Sequence, residues 1–345
     1  MGSDITQLRV LQIIGTTDAD EVNCSALDLH QGLSQRGAQV RTLALAPGRA
    51  AGLGTAVPSM APTTRSLSAH TQFRREQRWA DVVVLFGAAP AAAAGITSIR
   101  NAVPTVMVLG DDAARWRDAP VPSRAIRVVS SAAAVVVDTD ADADMGPRLG
   151  LDPAVLRVLP IGVTVGTVVS PARRRAARDA LGLDPGGIVA HLPAARTGTG
   201  AGTSAATADG DAVIAAASGL DVQWTRSGVA DGAVVHFGGA DAPDHDELAL
   251  AAADLVVQVG EPNATPPRSL LVGAAAGLAP VAPRSGSGDL VDDTTGWESL
   301  ADAVDAGAEE IHRRGAAAAV RVAERYDLHA SVDRWIDLLA SVAQR

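Results

Sequence analysis

The chain has 345 residues, a net charge of −10 and an isoelectric point near 5.1, so it is long enough for two domains and too acidic for a general nucleic-acid binder. All 29 basic residues are arginines, which excludes a Walker-type phosphate loop, a Schiff-base lysine and a pyridoxal-phosphate enzyme. The one cysteine, Cys24, excludes a disulfide framework and a thiolate metal cluster, and it fits a reducing cytoplasm.

The N-terminal sequence MGSDITQLRV lacks the basic start and the apolar core of a signal peptide. No apolar run in the sequence approaches the ~20 residues that a membrane-spanning helix needs. We therefore expect a cytoplasmic protein without a transmembrane segment.

The first half of the chain alternates short apolar runs with helical patterns, which is typical of a parallel α/β sheet. Strands are predicted over Leu8–Ile14, Gln39–Ala46, Ala80–Phe86 and Pro104–Leu109. Helices are predicted over Val22–Arg36, Arg65–Arg78 and Ala88–Arg100. Gly37 is placed to end the first of these helices.

The turn after the first strand carries candidate ligand-binding residues. It is predicted to begin at Gly15, and Thr16, Thr17 and Asn23 follow. Backbone amides and side chains here can contact a phosphate or a hydroxyl, and an ordinary strand-to-helix turn is the alternative.

A pair of carboxylates, Asp111 and Asp112, follows the fourth predicted strand. They can act as a base or bind a hydroxyl or a metal. Adjacent carboxylates on a loop are more often solvated or cap a helix, and that alternative is favoured.

The second half of the chain repeats the pattern of the first. A helix is predicted over Ser170–Leu183, with Pro171 in its first turn and Gly182 at its end. Strands are predicted over Gly187–Leu192, Leu220–Thr225 and Ala233–Phe237. Two last helices are predicted over Ser299–Arg325 and Tyr326–Val342, and the second has an apolar face.

Polar residues near these strand ends are candidates for anion binding. Arg196 can hold a phosphate bidentately, and His191 is either a phosphate contact or a partly buried histidine at a strand end. The glycine-rich segment 197–211 is either a phosphate cradle or, as favoured, a flexible loop. Asp241, Asp244 and His245 suggest a metal, but they lack a fourth ligand nearby, so a solvated loop is favoured.

The stretch Ala253–Pro283 reads as a strand, a polar loop, a small-residue helix and a second strand. Leu255–Val259 is the first strand, and the prolines and Glu261 of the loop follow it. The helix is predicted over Arg268–Ala276, Gly277 is placed to end it, and Ala279–Ala282 begins the next strand. Ligands of α/β folds bind outside the carboxyl ends of such strands.

Two stretches carry a resemblance to a known family. The opening RVLQIIGTTDADEVNCSALDLHQGLSQRGAQVRTLAL and the later ADLVVQVGEPNATPPRSLLVGAAAGLAPVAP resemble the GT-B retaining glycosyltransferases related to glycogen and sucrose synthases. Between them, Ile126–Ser130 and Ala133–Asp138 resemble the part of that family in which a strand carries a surface serine. Val155–Val165 resembles the strand and turn that close its first domain.

The resemblance implies an α/β GT-B fold, with two Rossmann-like domains facing across a cleft and a C-terminal helix that crosses back to the first domain. The domains are then residues 1–167 on the acceptor side and residues 168–328 on the donor side, with the helix in residues 329–345. The implied donor is a nucleotide sugar, bound as a substrate, and no metal or other cofactor is expected.

The resemblance also implies roles for single residues. Arg196 and Arg268 would hold the donor diphosphate, with His191 beside them. Glu261 would contact the ribose or the sugar, and Asp111 would lie near the acceptor. Backbone amides around Gly15, Thr16, Gly286 and Gly288 would meet phosphates. The resemblance thus implies eight donor contacts, these four together with His191, Arg196, Glu261 and Arg268.

The sequence departs from the family at other positions. Ala264 and Val272 stand where the family has two glutamates, and Gly110 stands where it has the histidine of a His-Asp pair. His191 replaces an arginine at the diphosphate, and Ile161 replaces the asparagine of a Pro-Asn-Gly turn.

Two hypotheses from different classes follow. In one, the chain is an active retaining transferase that moves a sugar from a nucleotide sugar to an acceptor. In the other, it is a catalytically inactive homologue that binds a ligand, a partner glycosyltransferase or a second copy of itself.

Overall fold

The structure, a computed structural model, describes residues 7–17, 21–48, 57–63, 67–97, 103–109, 122–144, 146–193, 211–226, 245–258, 266–284 and 290–344. The chain divides into two compact units, one of Met1–Gly162 with Leu328–Arg345 and the other of Val163–Asp327. The boundary after Gly162 lies a few residues before the boundary expected from the sequence, at residue 167. The reason is that the Val163 N–H donates to the Tyr326 carbonyl, at 2.8 Å, and so already belongs to the second unit.

The first unit is built on a six-stranded sheet in which every pairing is parallel. The strand order is β2-β1-β3-β4-β5-β6. Its strands are β1 Arg9–Thr16, β2 Gln39–Ala46, β3 Val82–Phe86, β4 Thr105–Val108, β5 Ala134–Val137 and β6 Leu156–Val158. The interior strands β3 and β5 are buried along their whole length, which explains their continuous apolar sequences.

Helices cover both faces of this sheet. They are α1 Glu21–Gln35, α2 Leu67–Gln77, α3 Ala88–Thr97, α4 Ser123–Ser130 and, from the C-terminus, α9 Leu328–Ala343. One core joins α2, α3 and α4 to the sheet, and a second joins α1 and α9 to the opposite face. Shorter turns of helix lie at Asp140–Ala143, Pro147–Leu149 and Pro153–Val155.

The return of the C-terminal helix to the first unit, which the resemblance implied, is present. Trp335 and Leu339 of α9 are fully buried in the core that α9 shares with α1. The Ser331 hydroxyl donates to the Pro160 carbonyl at 2.5 Å. This helix therefore forms part of the first unit although it follows the second unit in sequence.

One predicted element is wrong. Ile126–Ser130 resembled part of a strand, but it lies in helix α4. Ala125, Val128 and Val129 are the buried residues of that helix, and their i, i+3, i+4 spacing is that of one helical face. The strand is formed by the second segment alone, at Ala134–Val137.

The second unit has a four-stranded parallel sheet in the order β10-β9-β7-β8. Its strands are β7 Ile188–Leu192, β8 Val222–Arg226, β9 Leu255–Val257 and β10 Ala279–Val281. Its helices are α5 Pro171–Leu181, α6 His245–Ala252, α7 Arg268–Ala275 and α8 Leu300–Arg325, with a further helical segment at 211–216.

Helix α6 was not predicted from the sequence, which favoured a solvated loop for Asp241, Asp244 and His245. The strand predicted over Ala233–Phe237 lies outside the described residues. Helix α6 supplies Ala251 and Ala252 to the same core as α5 and α7, so it is a packed helix that the sequence did not indicate.

Glycines allow close packing around α8. At Gly307 the backbone has φ 80° and ψ 167°, a conformation open mainly to glycine, and the helix kinks there. At Gly315 a side-chain carbon would overlap the Gly277 carbonyl oxygen. Gly315 therefore lets α8 approach the backbone that joins α7 to β10.

No helix among the described residues is long and apolar enough to cross a membrane.

Candidate functional site

The carboxyl ends of the strands mark where each unit is expected to bind a ligand. All strands of one sheet run parallel, so their carboxyl ends share one edge, and the loops there supply the ligand contacts of α/β folds. Each unit has one such edge, and the predicted site residues that the structure describes, Gly15, Thr16, His191 and Arg268, fall on these two edges.

At the edge of the first unit, Gly15 and Thr16 belong to β1 and not to a turn. The parallel pairing with β2 continues as far as Thr16 opposite Ala46. A side-chain carbon at Gly15 would lie 3.9 Å from the Ala89 Cβ, an ordinary contact. The position therefore has room for a side chain, and packing does not explain why it is a glycine.

The turn after β1 is held by its own polar residues. The Asn23 side-chain amide donates to the Thr16 carbonyl at 3.0 Å, and Asn23 is buried. The Gly48 N–H donates to the Thr17 hydroxyl at 2.7 Å, which ties the end of β1 to the end of β2. These hydrogen bonds support the alternative of an ordinary strand-to-helix turn. Asp111 and Asp112 lie outside the described residues.

At the edge of the second unit, His191 is buried near the end of β7, with 2% of its surface exposed. Its Nδ1 lies 3.0 Å from the Thr225 hydroxyl, and that hydroxyl donates to the Ala249 carbonyl at 3.2 Å. Because the hydroxyl proton is used on Ala249, Thr225 accepts from His191, which places a proton on Nδ1. This arrangement is that of a core histidine linking β7, β8 and α6.

Arg268 is the first residue of α7 and is half-buried at the same edge. Pro267 precedes it and provides no side-chain cap for the helix. The start of α7 thus brings together backbone N–H groups, the positive end of the helix dipole and a guanidinium, which is a favourable combination for an anion. The other predicted contacts, Arg196, Glu261, Gly286 and Gly288, lie outside the described residues.

The structure also identifies a residue that the sequence did not. Gln258 directly follows β9, and its Oε1 is shielded from solvent and accepts no hydrogen bond from the described part of the chain. The Gln12 Nε2, His70 Nδ1 and Trp335 Nε1 atoms are also shielded from solvent and have no hydrogen-bond partner in the described part of the chain. No sequence motif contains Gln258, because its interest comes from its surroundings in the fold.

A buried charged cluster lies at the opposite, amino-terminal edge of the second sheet. Asp254 is 5% exposed and forms ion pairs with Arg178 and with Arg174, the latter at 3.6 Å. It also accepts hydrogen bonds from the Val189 N–H at 3.0 Å and from the His312 Nε2 at 3.1 Å. The cluster joins α5, β7 and α8 at the start of β9.

The electrostatics of this cluster favour a charged Asp254. Burial alone would raise the pKa of Asp254, but the hydrogen bonds from His312 and Val189 and the charges of Arg178 and Arg174 outweigh burial, so the pKa is lowered. Since the cluster lies away from the carboxyl edge, we assign it to folding and not to ligand binding.

The described residues contain no group of three or more histidine, cysteine, aspartate or glutamate side chains placed to hold a metal ion. Of the residues that suggested a metal in the sequence, Asp241 and Asp244 lie outside the described residues, and the side chain of His245 is not described either.

The chain is similar to solved glycosyltransferase structures over nearly its whole length. HepE of Anabaena in complex with UDP-glucose is 14% identical with a TM-score of 0.72, over 97% of this chain and 99% of that one. A glycosyltransferase from Rickettsia africae is 12% identical with a TM-score of 0.71, over 98% and 99%. Sucrose-phosphate synthase from Thermosynechococcus elongatus is 13% identical with a TM-score of 0.68, over 97% and 98%.

No protein-family model matches the chain, and no curated protein matches it in sequence. At identities of this size the likeness shows the fold, and the activity of the neighbours does not transfer with it.

Proposed function

Because the chain has the GT-B fold that its sequence predicted, we propose that it is a glycosyltransferase that takes a sugar from a nucleotide sugar. The observation that carries the proposal is the similarity, over 97% of the chain, to a structure that holds UDP-glucose. The position of Arg268 as the first residue of α7 supports the proposal, because a guanidinium beside a helix N-terminus favours a phosphate.

In this proposal the donor binds at the carboxyl edge of the second sheet. Arg268 and Arg196 hold the diphosphate and stabilise the charge that develops on it as the glycosidic bond breaks. The backbone around Gly286 and Gly288 supplies further N–H donors, and Glu261 contacts the ribose or the sugar. Cations and amides of the protein then do the work of a metal, so no metal is required.

The acceptor would bind at the first unit. Asp111 is the proposed base for the acceptor hydroxyl, and the backbone amides around Gly15 and Thr16 are proposed phosphate contacts. The stereochemical outcome proposed from the resemblance is retention at the anomeric carbon.

A second candidate function is binding without transfer. The observations that favour it are the replacements Ala264, Val272 and Gly110, because catalytic groups act as a unit and several losses together remove more than one alone. His191 adds to these observations, since its Nδ1 is engaged by Thr225 inside the core. Such a chain would act as the binding subunit of a partner glycosyltransferase or of a homo-oligomer.

Calorimetric titration with UDP-glucose, ADP-glucose and GDP-mannose tests donor binding, which the transferase requires. We expect at least one of them to bind with a dissociation constant below about 1 mM. Arg196→Ala and Arg268→Ala should each weaken this binding more than about tenfold, since a charge-assisted contact to phosphate is lost. Arg175→Ala, on the exposed face of α5, is the control and should bind like the unaltered chain. Absence of binding by every donor at millimolar concentration would refute the proposal.

Turnover separates the two candidates. The donor that binds in the titration is incubated with the chain, and release of the nucleoside diphosphate is followed by phosphorus NMR. Slow hydrolysis that stops in Asp111→Asn and Arg268→Ala supports the transferase. Tight binding with no release, in the presence of a panel of sugar acceptors, supports the binding function instead.

A further inference from the structure

Helices α2, α3 and α4 form a layer on one face of the first sheet, and the outer surface of this layer is positively charged. The three helices share one core with the sheet, and α3 contacts both of the others. Their one carboxylate, Glu76, is paired with Arg41 of β2 at 2.7 Å. The layer exposes five arginines at the end of α2 and along α4, which we call the arginine face: Arg74, Arg75, Arg78, Arg124 and Arg127.

None of the five guanidinium groups of the arginine face forms an ion pair with the described part of the chain. Exposed arginines elsewhere do find carboxylates, as in the pairs of Arg173 with Glu247 and of Arg284 with Asp293. Carboxylates are abundant in a chain of net charge −10. The arginine face therefore differs from the rest of the described surface in both charge and pairing.

The stability of the helices does not explain these charges. Arg124 lies in the first turn of α4, where the helix dipole disfavours a cation, and that turn has no acidic residue. Arg74 and Arg78 are four residues apart, and Arg124 and Arg127 are three apart, spacings at which like charges on a helix repel each other. An anionic partner from outside the chain would relieve this repulsion.

The arginine face also exposes apolar side chains. Ile96 of α3 is 46% exposed and Ile126 of α4 is 36% exposed. A side-chain carbon at Gly95 would come within 2.7 Å of the Arg124 carbonyl oxygen, so the next residue of α3, Ile96, lies close to Arg124. Helix α3 itself has no charged side chain. The surface thus combines cations with isolated apolar groups.

The size of the arginine face distinguishes among anionic partners. The helices have 11, 10 and 8 residues, and with neighbours about 8–10 Å apart the described part of the face measures about 15 by 30 Å. This area is about half of the ~800 Å² that each partner of a stable protein complex buries. A lipid surface needs no such matched area, because each cation is attracted independently and exposed apolar side chains enter the headgroup region. A nucleic acid attracts the arginines through its phosphates and gives the isoleucines no role.

We propose that the arginine face docks the chain on the surface of a membrane that contains anionic lipids. The guanidinium groups bind lipid phosphates, which suit their planar donor geometry. Ile96 and Ile126 enter the headgroup region beside them. At physiological salt, charges beyond about 8–10 Å are screened, so the negative charge elsewhere on the chain does not prevent this contact. The proposal does not depend on the proposed function.

Flotation with lipid vesicles tests the docking. We expect the chain to bind vesicles in which about one third of the phosphatidylcholine is replaced by phosphatidylglycerol, and not vesicles of phosphatidylcholine alone. Arg75→Gln combined with Arg127→Gln should weaken binding about 25-fold, since each arginine at an anionic surface contributes about fivefold. Arg175→Gln combined with Arg334→Gln removes the same charge from exposed positions outside the arginine face and should bind like the unaltered chain.

The isoleucines separate a membrane from a soluble polyanion. Ile96→Gln combined with Ile126→Gln should weaken vesicle binding at least about fivefold, because apolar contact with the bilayer is lost, and the melting temperature checks that this variant is folded. Unchanged vesicle binding by this folded variant, or displacement of the chain from vesicles by an equal charge concentration of duplex DNA, would overturn the proposal in favour of a soluble polyanion. The proposal also fails if the two arginine variants bind equally, or if the mixed vesicles do not bind the unaltered chain. Failure of every nucleotide sugar to bind refutes the proposed function alone.

Discussion

At the scale of single residues, Asp254 is a buried charge of the second unit that is held by four partners. Two arginines, a histidine and a backbone N–H surround it at the start of β9. Asp254→Asn removes the charge that compensates Arg178, which is 5% exposed. Breaking a buried ion pair from one side costs about 3–5 kcal/mol, so the midpoint of urea unfolding of the second unit should fall markedly.

The control for Asp254 is an exposed ion pair of the same unit. Asp293 pairs with Arg284, and its side chain is 85% exposed, so Asp293→Asn should change the free energy of unfolding by less than about 0.5 kcal/mol. Equal effects of the two substitutions would show that the cluster does not hold the fold.

The same residue gives the second unit a defined response to acid. The pKa of Asp254 is lowered in the folded chain, so its stabilising contribution is complete above its unfolded-state pKa and is lost as the pH falls through the folded-state pKa. Between about pH 5 and pH 2 the unaltered chain should therefore lose more stability than Asp254→Asn does. Parallel curves for the two proteins would contradict the assignment.

The sequence predicts residues whose role is local and misses residues whose role is tertiary. Gly37, Gly182 and Gly277 were placed as helix ends from local chemistry, and each has a positive φ there. Asp254 and Gln258 have no local signal, because their partners, or the lack of one, come from segments distant in sequence. Arg268 and His191 were predicted as candidate contacts from their positions near strand ends. The contact of His191 with Thr225 could not be predicted, because Thr225 lies on another strand.

At the scale of elements, the packing of α8 on the α7–β10 connection depends on Gly315. A methyl group at this position would overlap the Gly277 carbonyl oxygen, a backbone atom that cannot rotate away. We expect Gly315→Ala to destabilise the second unit by about 1–3 kcal/mol, as overpacking does. Thermal unfolding followed by circular dichroism measures this effect.

Gly166→Ala is the matched substitution, because nothing lies within 4 Å of a side-chain carbon at Gly166. It should be neutral or slightly stabilising through its effect on the unfolded chain. A harmless Gly315→Ala would mean that α8 does not approach the connection as closely as described.

Elements were predictable where the apolar pattern had one meaning. The buried strands β3 and β5 and the amphipathic helix α1 fall within a residue or two of their predicted bounds. Helix α4 was mistaken for part of a strand because its Ile126, Val128 and Val129 have strand propensity. The helical spacing of its apolar residues favours a helix only when a sheet is present to bury that face. Helix α6 was missed because its alanine-rich sequence, HDELALAA, has little contrast between its faces.

At the scale of the whole molecule, the last helix belongs to the unit formed first in sequence. A side-chain carbon at Gly32 of α1 would overlap Val332 of α9, so Gly32→Ala should destabilise the first unit by about 1–3 kcal/mol. In the double variant with Val332→Ala the added methyl occupies space that the valine gives up. The two substitutions together should therefore cost less than the sum of their separate effects, measured as a double-mutant cycle in urea. Strict additivity would show that α1 and α9 are not in contact.

The GT-B fold could be predicted from the sequence because apolar patterns along the whole chain indicate the order of strands and helices and the apolar face of the last helix. The binding chemistry did not follow to the same degree. Glu261, Arg196 and Asp111 lie on segments outside the described residues, and their roles stay predictions. What the structure adds is the environment of the strand ends, above all at Gln258 and Arg268.

In the proposed function, a nucleotide sugar binds the second unit at the carboxyl end of β9 and the start of α7. Hydrogen–deuterium exchange with and without the best-bound donor tests this claim directly, because a bound ligand slows exchange of the amides it covers. We expect slower exchange in peptides covering Leu255–Ala275, with little change in α5 and around Asp254 at the opposite edge. Unchanged exchange in Leu255–Ala275 at a saturating donor concentration would contradict it.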